Sequence, residues 1–70
     1  MFLIKVKYYL GGKRITPPSH CPTEIEVEKG QPQGLTAREV RLIIDEYRET
    51  MGEAPLDDDV LIIYKTTVMV

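Results

Sequence analysis

The sequence predicts an α+β domain in which one amphipathic helix packs on one face of a small, mainly antiparallel sheet of three strands. Three observations support this prediction: a capped helical segment at residues 35–52, two strand-like segments before it, and a β-branched segment after it. The elements therefore follow the order ββαβ. A right-handed crossover from the second strand would place the last strand beside the first, which gives the spatial order 2-1-3.

The first strand is predicted at residues 2–10, where side chains alternate between two faces. One face carries Phe2, Ile4, Val6, Tyr8 and Leu10, and the other carries Leu3, Lys5, Lys7 and Tyr9. The first of these faces is expected to meet the helix because it is uniformly apolar. Gly11 and Gly12 then suit the positive φ angles of a two-residue hairpin loop, so the chain is expected to turn back at residues 13–16.

The returning strand is interrupted by a proline-rich segment at residues 17–22. Its three prolines cannot donate to a β-ladder, so the segment is expected to bulge from the sheet as a stiff, exposed loop. Alternation resumes at residues 23–28, whose outer face carries three glutamates. If this strand pairs antiparallel with the first, the glutamates lie across from Lys5 and Lys7, and each pair of opposite charges contributes about 0.2 to 1 kcal/mol.

The helix begins at a capping box formed by Thr36 and Glu39, and Gly52 supplies the left-handed residue past its end. Five apolar side chains recur at helical spacing and are expected to face the sheet: Val40, Ile43, Ile44, Tyr47 and Met51. The charged face is expected to project into solvent and comprises Arg38, Arg41, Asp45, Arg48 and Glu49. Arg41 and Asp45 on this face have the spacing of an i,i+4 ion pair, which contributes only about 0.2 to 0.5 kcal/mol.

The last strand is predicted at residues 60–70, and both of its faces are apolar near its start. One helix covers only one face of a sheet, so the opposite face is expected to expose a contiguous apolar patch. The residues expected in this patch are Leu3, Tyr9, Leu61, Ile63 and Met69. Patches of this kind mark association surfaces, and we expect either a homodimer or a protein partner to cover it.

The composition is that of one globular domain spanning residues 1–70. No apolar run reaches the ~18 residues that a membrane span needs, and the alternating N-terminus lacks the pattern of a signal peptide. A single cysteine excludes an internal disulfide, so the sequence predicts a cytoplasmic protein. The net charge is −2, yet every acidic residue follows position 23, which indicates either internal charge pairing or two surfaces with different partners.

Catalytic and metal-binding patterns are not found in the sequence. His20 and Cys21 are the only histidine and cysteine, whereas a zinc site needs about four ligands. Because the two residues are neighbours in an extended segment, their side chains point apart and do not form a catalytic dyad. The acidic residues 57–59 lack the glycine and glutamate positions of a calcium-binding loop. We therefore expect a protein that is not an enzyme and that holds no metal or cofactor.

Two binding functions remain as hypotheses. The first is a small protein-protein interaction module, a regulator or inhibitor that binds a partner through the apolar patch and through His20 and Cys21 of the proline-rich loop. The alternative is nucleic-acid binding by the basic hairpin, whose cationic side chains would follow phosphates while Tyr9 stacks on a base. The residues of this alternative are Lys5, Lys7, Tyr9, Lys13 and Arg14. In element order, the hairpin followed by a helix broadly resembles the opening of a ubiquitin-like β-grasp domain, which implies nothing about function.

Overall fold

The computed structural model describes residues 1–69. Its strands are β1 (Phe2–Leu10), β2 (Lys13–Arg14), β3 (Glu24–Val27) and β4 (Leu61–Val68), and its helix is α1 (Ala37–Thr50). The central strand is β1, which pairs antiparallel with β4 along one edge and with β2 and β3 at the two ends of its other edge. The predicted α+β class and the spatial order 2-1-3 are confirmed, with the second predicted strand present as two short pieces.

The break between β2 and β3 coincides with the proline-rich loop, residues 17–22. Proline has no backbone N–H, so this part of the chain cannot continue the ladder with β1. Pairing resumes at Thr23, whose carbonyl accepts from the N–H of Val6 at 2.8 Å. The turn before the break follows the prediction, since Gly11 and Gly12 have φ angles of 60° and 79°, as a type I′ hairpin requires.

The core lies between α1 and the sheet face that it covers. The buried side chains of β1 are those that its alternation predicts, Phe2, Ile4, Val6 and Tyr8. Leu10, predicted on the same face, is exposed because it lies beside the hairpin loop, opposite Lys13. From the helix, Val40 and Ile44 are fully buried, and a side chain of this size contributes about 1.5 to 3 kcal/mol when it leaves water.

The helix is capped at both ends. Thr36 Oγ1 accepts from the Glu39 N–H at 3.2 Å, as the capping box predicts, but the Glu39 carboxylate accepts from the Thr36 hydroxyl and not from its backbone. Gly52 has a φ angle of 80° past the C-terminal end, and the N–H of Glu53 donates to the Arg48 carbonyl at 2.9 Å. This is the Schellman arrangement, which satisfies a carbonyl that the helix itself leaves unpaired.

The orientation of the helix differs from the prediction near its C-terminal end. Arg48, expected in solvent, is buried in line with Val40 and Ile44, whereas Tyr47 and Met51, expected to face the sheet, are exposed. Arg48 is buried because two loops pack around its guanidinium. Its Nε donates to the Ala54 carbonyl at 2.9 Å, and its Nη1 donates to the Ser19 carbonyl and lies 3.4 Å from Cys21 Sγ.

Two other charged residues of the helix, Arg41 and Asp45, were expected to project into solvent but form hydrogen bonds with a loop. Arg41 donates to the carbonyls of Leu56 (3.1 Å), Asp57 (2.5 Å) and Val60 (2.8 Å). Asp45, predicted to pair with Arg41, accepts from the Leu56 N–H at 2.9 Å. Together the two side chains fix the connection between α1 and β4, and Leu56 and Val60 are thereby held in the core.

The proline-rich loop was expected to be an exposed bulge, but part of it is buried. Cys21 is buried in the core, and the Tyr8 hydroxyl donates to the Pro22 carbonyl at 2.5 Å. His20 remains exposed and has a positive φ angle of 56°. The loop therefore closes one end of the core, because a thin core of this size gains from every apolar side chain that it can cover.

The last strand, β4, lies at the edge of the sheet. Its inner face meets α1, and its outer face belongs to the side of the sheet that the helix leaves uncovered, which explains why both faces are apolar. Within residues 1–69, no helix combines the length and the apolar character needed to cross a membrane.

Candidate binding face

The candidate site is the sheet face opposite α1, which we call the open face. Opposite partners in a β-ladder share a face, so the strand register defines its members. They are Leu3, Lys5, Lys7 and Tyr9 of β1, Arg14 of β2, Glu24 and Glu26 of β3, and Leu61, Ile63, Lys65 and Thr67 of β4. The two hypotheses from the sequence thus fall largely on one surface, where basic and apolar side chains are interleaved.

One end of the open face is apolar and aromatic. Tyr9 has Leu61 as its direct partner on β4 and Arg14 as its direct partner on β2. Leu61 and Ile63 leave 60% and 57% of their surface in water, whereas Tyr9 is half-buried between its neighbours. Two large aliphatic side chains this exposed, two residues apart on one strand, form a contiguous apolar area and not scattered single exposures.

The middle of the open face is basic. Lys5 lies directly opposite Lys65, and Lys7 lies opposite Ile63. These side chains border a shallow groove of about 360 Å³, which is lined by Lys5, Lys7, Ile63, Tyr64, Lys65 and Thr67. Like charges placed directly opposite in a sheet destabilise it, so an anionic group in the groove would offset the repulsion expected between Lys5 and Lys65.

The predicted row of glutamates balances this charge only in part. Glu24 lies opposite Lys5, as expected, but Glu26 lies opposite Leu3, and Lys7 has its neighbour on β4 instead. Among residues 1–69, no ion pair within 4.0 Å joins a lysine of the open face to a carboxylate. The groove therefore keeps a net positive character at Lys7 and Lys65.

Several residues singled out in the sequence lie away from the open face. Cys21 is buried, which removes it from any surface contact. His20 lies near the C-terminal end of α1, where its Nδ1 is 3.2 Å from Glu53 Oε1 and 3.1 Å from Ser19 Oγ. Lys13 pairs with Leu10 and so points to the other side of the sheet. Met69, by contrast, lies just past the end of β4 on the same side as the open face: its N–H donates to the Met1 carbonyl at 3.2 Å, which continues the register of β4 with β1, and its side chain is half-buried.

Sequence reasoning missed one member of the basic groove, Lys65. The sequence does indicate the face on which Lys65 lies: it follows Leu61 and Ile63 at steps of two along the strand, so it shares their face. Its nearness to Lys5 depends on the register between β1 and β4, which are far apart in the chain, and that register is not encoded in either strand alone.

A second polar cluster lies inside the protein, where Tyr8, Cys21 and Arg48 meet at the proline-rich loop. Burial raises the pKa of the Tyr8 hydroxyl well above its ordinary value of 10.0, contact with Cys21 raises it further, and the positive charge of Arg48 partly offsets both. The hydroxyl donates to Pro22 and the guanidinium donates to loop carbonyls, so these groups hold the loop in place. Within the described residues, no group of three or more His, Cys, Asp or Glu side chains is arranged to hold a metal ion.

Comparison with models of protein families, with curated proteins and with solved structures finds no match for this chain.

Proposed function

We propose that the protein is a small, non-catalytic binding module of the cytoplasm, whose open face binds a protein partner that presents acidic and apolar side chains. A module of this kind acts as a regulator or inhibitor by covering the surface of its partner. The observation that carries the proposal is the register that sets Lys5 opposite Lys65, beside the exposed side chain of Ile63.

The basic groove favours an anionic partner. Carboxylates placed among Lys5, Lys7 and Lys65 would form charge-assisted hydrogen bonds and would offset the like-charge repulsion between Lys5 and Lys65 at the same time. A second copy of the open face is a poor occupant by the same argument, because it would bring its own lysines against this groove.

The apolar part favours a protein over a nucleic acid. Leu61 and Ile63 offer aliphatic surface, which suits the apolar centre of a protein interface and not the phosphates and base faces of a nucleic acid. Of the described residues that define this face, only Tyr9 is aromatic, and it is half-buried. The two glutamates of β3 on the same face would also repel a phosphate backbone that ran across the sheet.

Nucleic-acid binding is the second candidate, supported by one observation. Lys5, Lys7, Arg14 and Lys65 lie on a single face together with Tyr9, which is the combination of cations and an aromatic ring found in single-strand binding surfaces.

A photo-crosslinking experiment tests the proposal and separates the two candidates. Tyr9 on the open face and Tyr47, exposed on the helix, are matched positions, because each can be replaced by the photoreactive aromatic residue p-benzoylphenylalanine. After irradiation in the native host cell, we expect a protein adduct from position 9 that is insensitive to nuclease and absent from position 47. Equal adducts from both positions would contradict the proposal, and a nuclease-sensitive adduct from position 9 would favour the second candidate.

A further inference from the structure

The outer edge of β4 is a second surface, distinct from the open face. Within residues 1–69, β4 pairs only with β1. The carbonyl of Tyr8 accepts from Ile15 and the N–H of Val6 donates to Thr23, so the even-numbered residues of β1 direct their backbone groups away from β4. The odd-numbered residues of β1 therefore bond to β4.

The same alternation fixes the direction of the backbone groups of β4. Lys5 and Lys65 face each other as a hydrogen-bonded pair, so odd residues of β4 point their N–H and C=O groups towards β1. Ile62, Tyr64 and Thr66 point theirs outwards. Among the described residues, none of these outward backbone groups has a hydrogen-bond partner, since β4 pairs with β1 alone and no other backbone bond reaches them.

The two edges of the sheet differ in how they are protected. The edge formed by β2 and β3 is short, and the prolines of residues 17–22 interrupt it. By contrast, β4 runs over Leu61–Val68 without a proline, and its continuous register with β1 contains no bulge. Natural proteins protect edge strands with prolines, bulges and charged side chains, and β4 has only one of these devices, the exposed Lys65. A long edge that also carries exposed Leu61 and Ile63 is prone to pair with another strand.

We propose that a second copy of the chain pairs with β4, antiparallel and in one register, to form a two-fold symmetric dimer. In such a dimer, residues whose backbone groups point outwards must lie opposite each other. Of the registers that meet this condition, the two with the greatest overlap place either Tyr64 opposite Tyr64, or Lys65 opposite Lys65. The second register sets like charges against each other across the two-fold axis and is disfavoured.

In the remaining register, Ile62 of one protomer bonds with Thr66 of the other, and Tyr64 bonds with its own symmetry mate. On the open side, Ile63 of each protomer then packs against the aliphatic stem of Lys65 of the other, which leaves the ammonium group in solvent. Each protomer thus offers the other the same set of contacts. This self-complementarity favours a second copy over a strand of unrelated sequence.

A two-fold axis between antiparallel neighbours is perpendicular to the sheet, so the open faces of both protomers lie on one side. The dimer is thus a continuous sheet with both helices on its other side. This inference rests on the edge of β4 and does not depend on what binds the open face.

The dimer is tested first by its mass in solution. Analytical ultracentrifugation of the full chain should give about twice the monomer mass of 8.0 kDa. The variant Thr66→Pro should give a monomer, because it removes one outward N–H and no hydrogen bond within the chain, and proline is tolerated at such edge positions. A wild-type protein that stays monomeric up to millimolar concentration would overturn the proposal, as would a dimer unchanged by Thr66→Pro.

The register is tested by disulfide trapping, which remains decisive if Thr66→Pro fails to fold. In the proposed register, a protomer with Ile63→Cys should form a disulfide with a protomer that carries Lys65→Cys, since directly opposed residues lie within disulfide reach. Wild-type protein is the control, because its only cysteine, Cys21, is buried. A disulfide dimer formed by Lys65→Cys alone, or by Ile63→Cys alone, would show another register and overturn the one proposed here.

Discussion

Lys5 and Lys65 lie directly opposite each other on the open face, in the long ladder that joins the central strand to the last one. No ion pair in residues 1–69 joins either lysine to a carboxylate within 4.0 Å. Two lysines in this arrangement lower the stability of the sheet. An acidic partner bound in the groove beside them would offset that loss. The proposed binding function follows from this relationship and from the exposed aliphatic side chains next to it.

Removing the charge of Lys65 should stabilise the protein. We expect Lys65→Gln to raise the free energy of unfolding by about 0.2 to 1 kcal/mol at low salt, since it removes a like-charge neighbour of Lys5. The gain should fade as salt screens the repulsion. Urea unfolding at low and high salt measures both effects, with Lys29→Gln in an exposed loop as the control. Equal stability of Lys65→Gln and wild type at low salt would show that the repulsion is absent.

Arg48 should be a major contributor to stability although it lies on a helix of mostly exposed charges. We expect Arg48→Met to lower the free energy of unfolding by about 3 kcal/mol, because it leaves the carbonyls of Ser19 and Ala54 without their donor. Arg38→Met, on the exposed side of the same helix, should change it by less than about 0.5 kcal/mol. Thermal and urea unfolding compare the two variants, and similar losses would contradict the anchoring role of Arg48.

The burial of Tyr8 predicts a loss of stability in alkaline solution. Its pKa is raised in the folded protein, so above pH 10 the unfolded chain releases a proton that the folded chain keeps, and the free energy of unfolding falls as pH rises. Between pH 10 and pH 11 this contribution amounts to about 1 kcal/mol.

The variant Tyr8→Phe lacks this proton while retaining the other titrating groups. The difference in unfolding free energy between wild type and Tyr8→Phe should therefore shrink by about 1 kcal/mol between pH 10 and pH 11. Urea unfolding at both values measures it. A difference that stays constant would mean that Tyr8 ionises equally easily in both states.

The sequence was informative where a local signal decides the structure. Gly11 and Gly12 fix the hairpin, Thr36 and Gly52 fix the ends of the helix, and alternation identifies the buried side of β1. These features depend on neighbours a few residues apart, so they can be predicted from the chain.

The sequence was less informative where two distant segments meet. The helical pattern places Arg48 with the other charges, and only the packing of two loops over that end of the helix explains its burial. The same holds for Cys21, which an exposed loop would have left in water, and for Lys65, whose closeness to Lys5 arises from strand register. The open face could be anticipated as an apolar patch, but its basic groove could not.

The most direct test of the proposed function compares two exposed aliphatic residues on opposite sides of the protein. Ile63 lies on the open face and Leu42 on the outer side of the helix, with 57% and 53% of their surfaces exposed. Neither Ile63→Glu nor Leu42→Glu should impair folding, since each replaces a side chain that is largely in water. In the proposed dimer, Glu at position 63 would lie opposite Lys65 of the other protomer, so we expect Ile63→Glu to dimerise. A loss of partner binding by this variant would therefore not result from loss of the dimer.

The measurement is quantitative mass spectrometry of the proteins that co-purify with each tagged variant from the native host cell. We predict that one or more proteins bound by the wild type are retained by Leu42→Glu and reduced at least tenfold by Ile63→Glu. Equal recovery with both variants would contradict the claim that the open face is the binding surface.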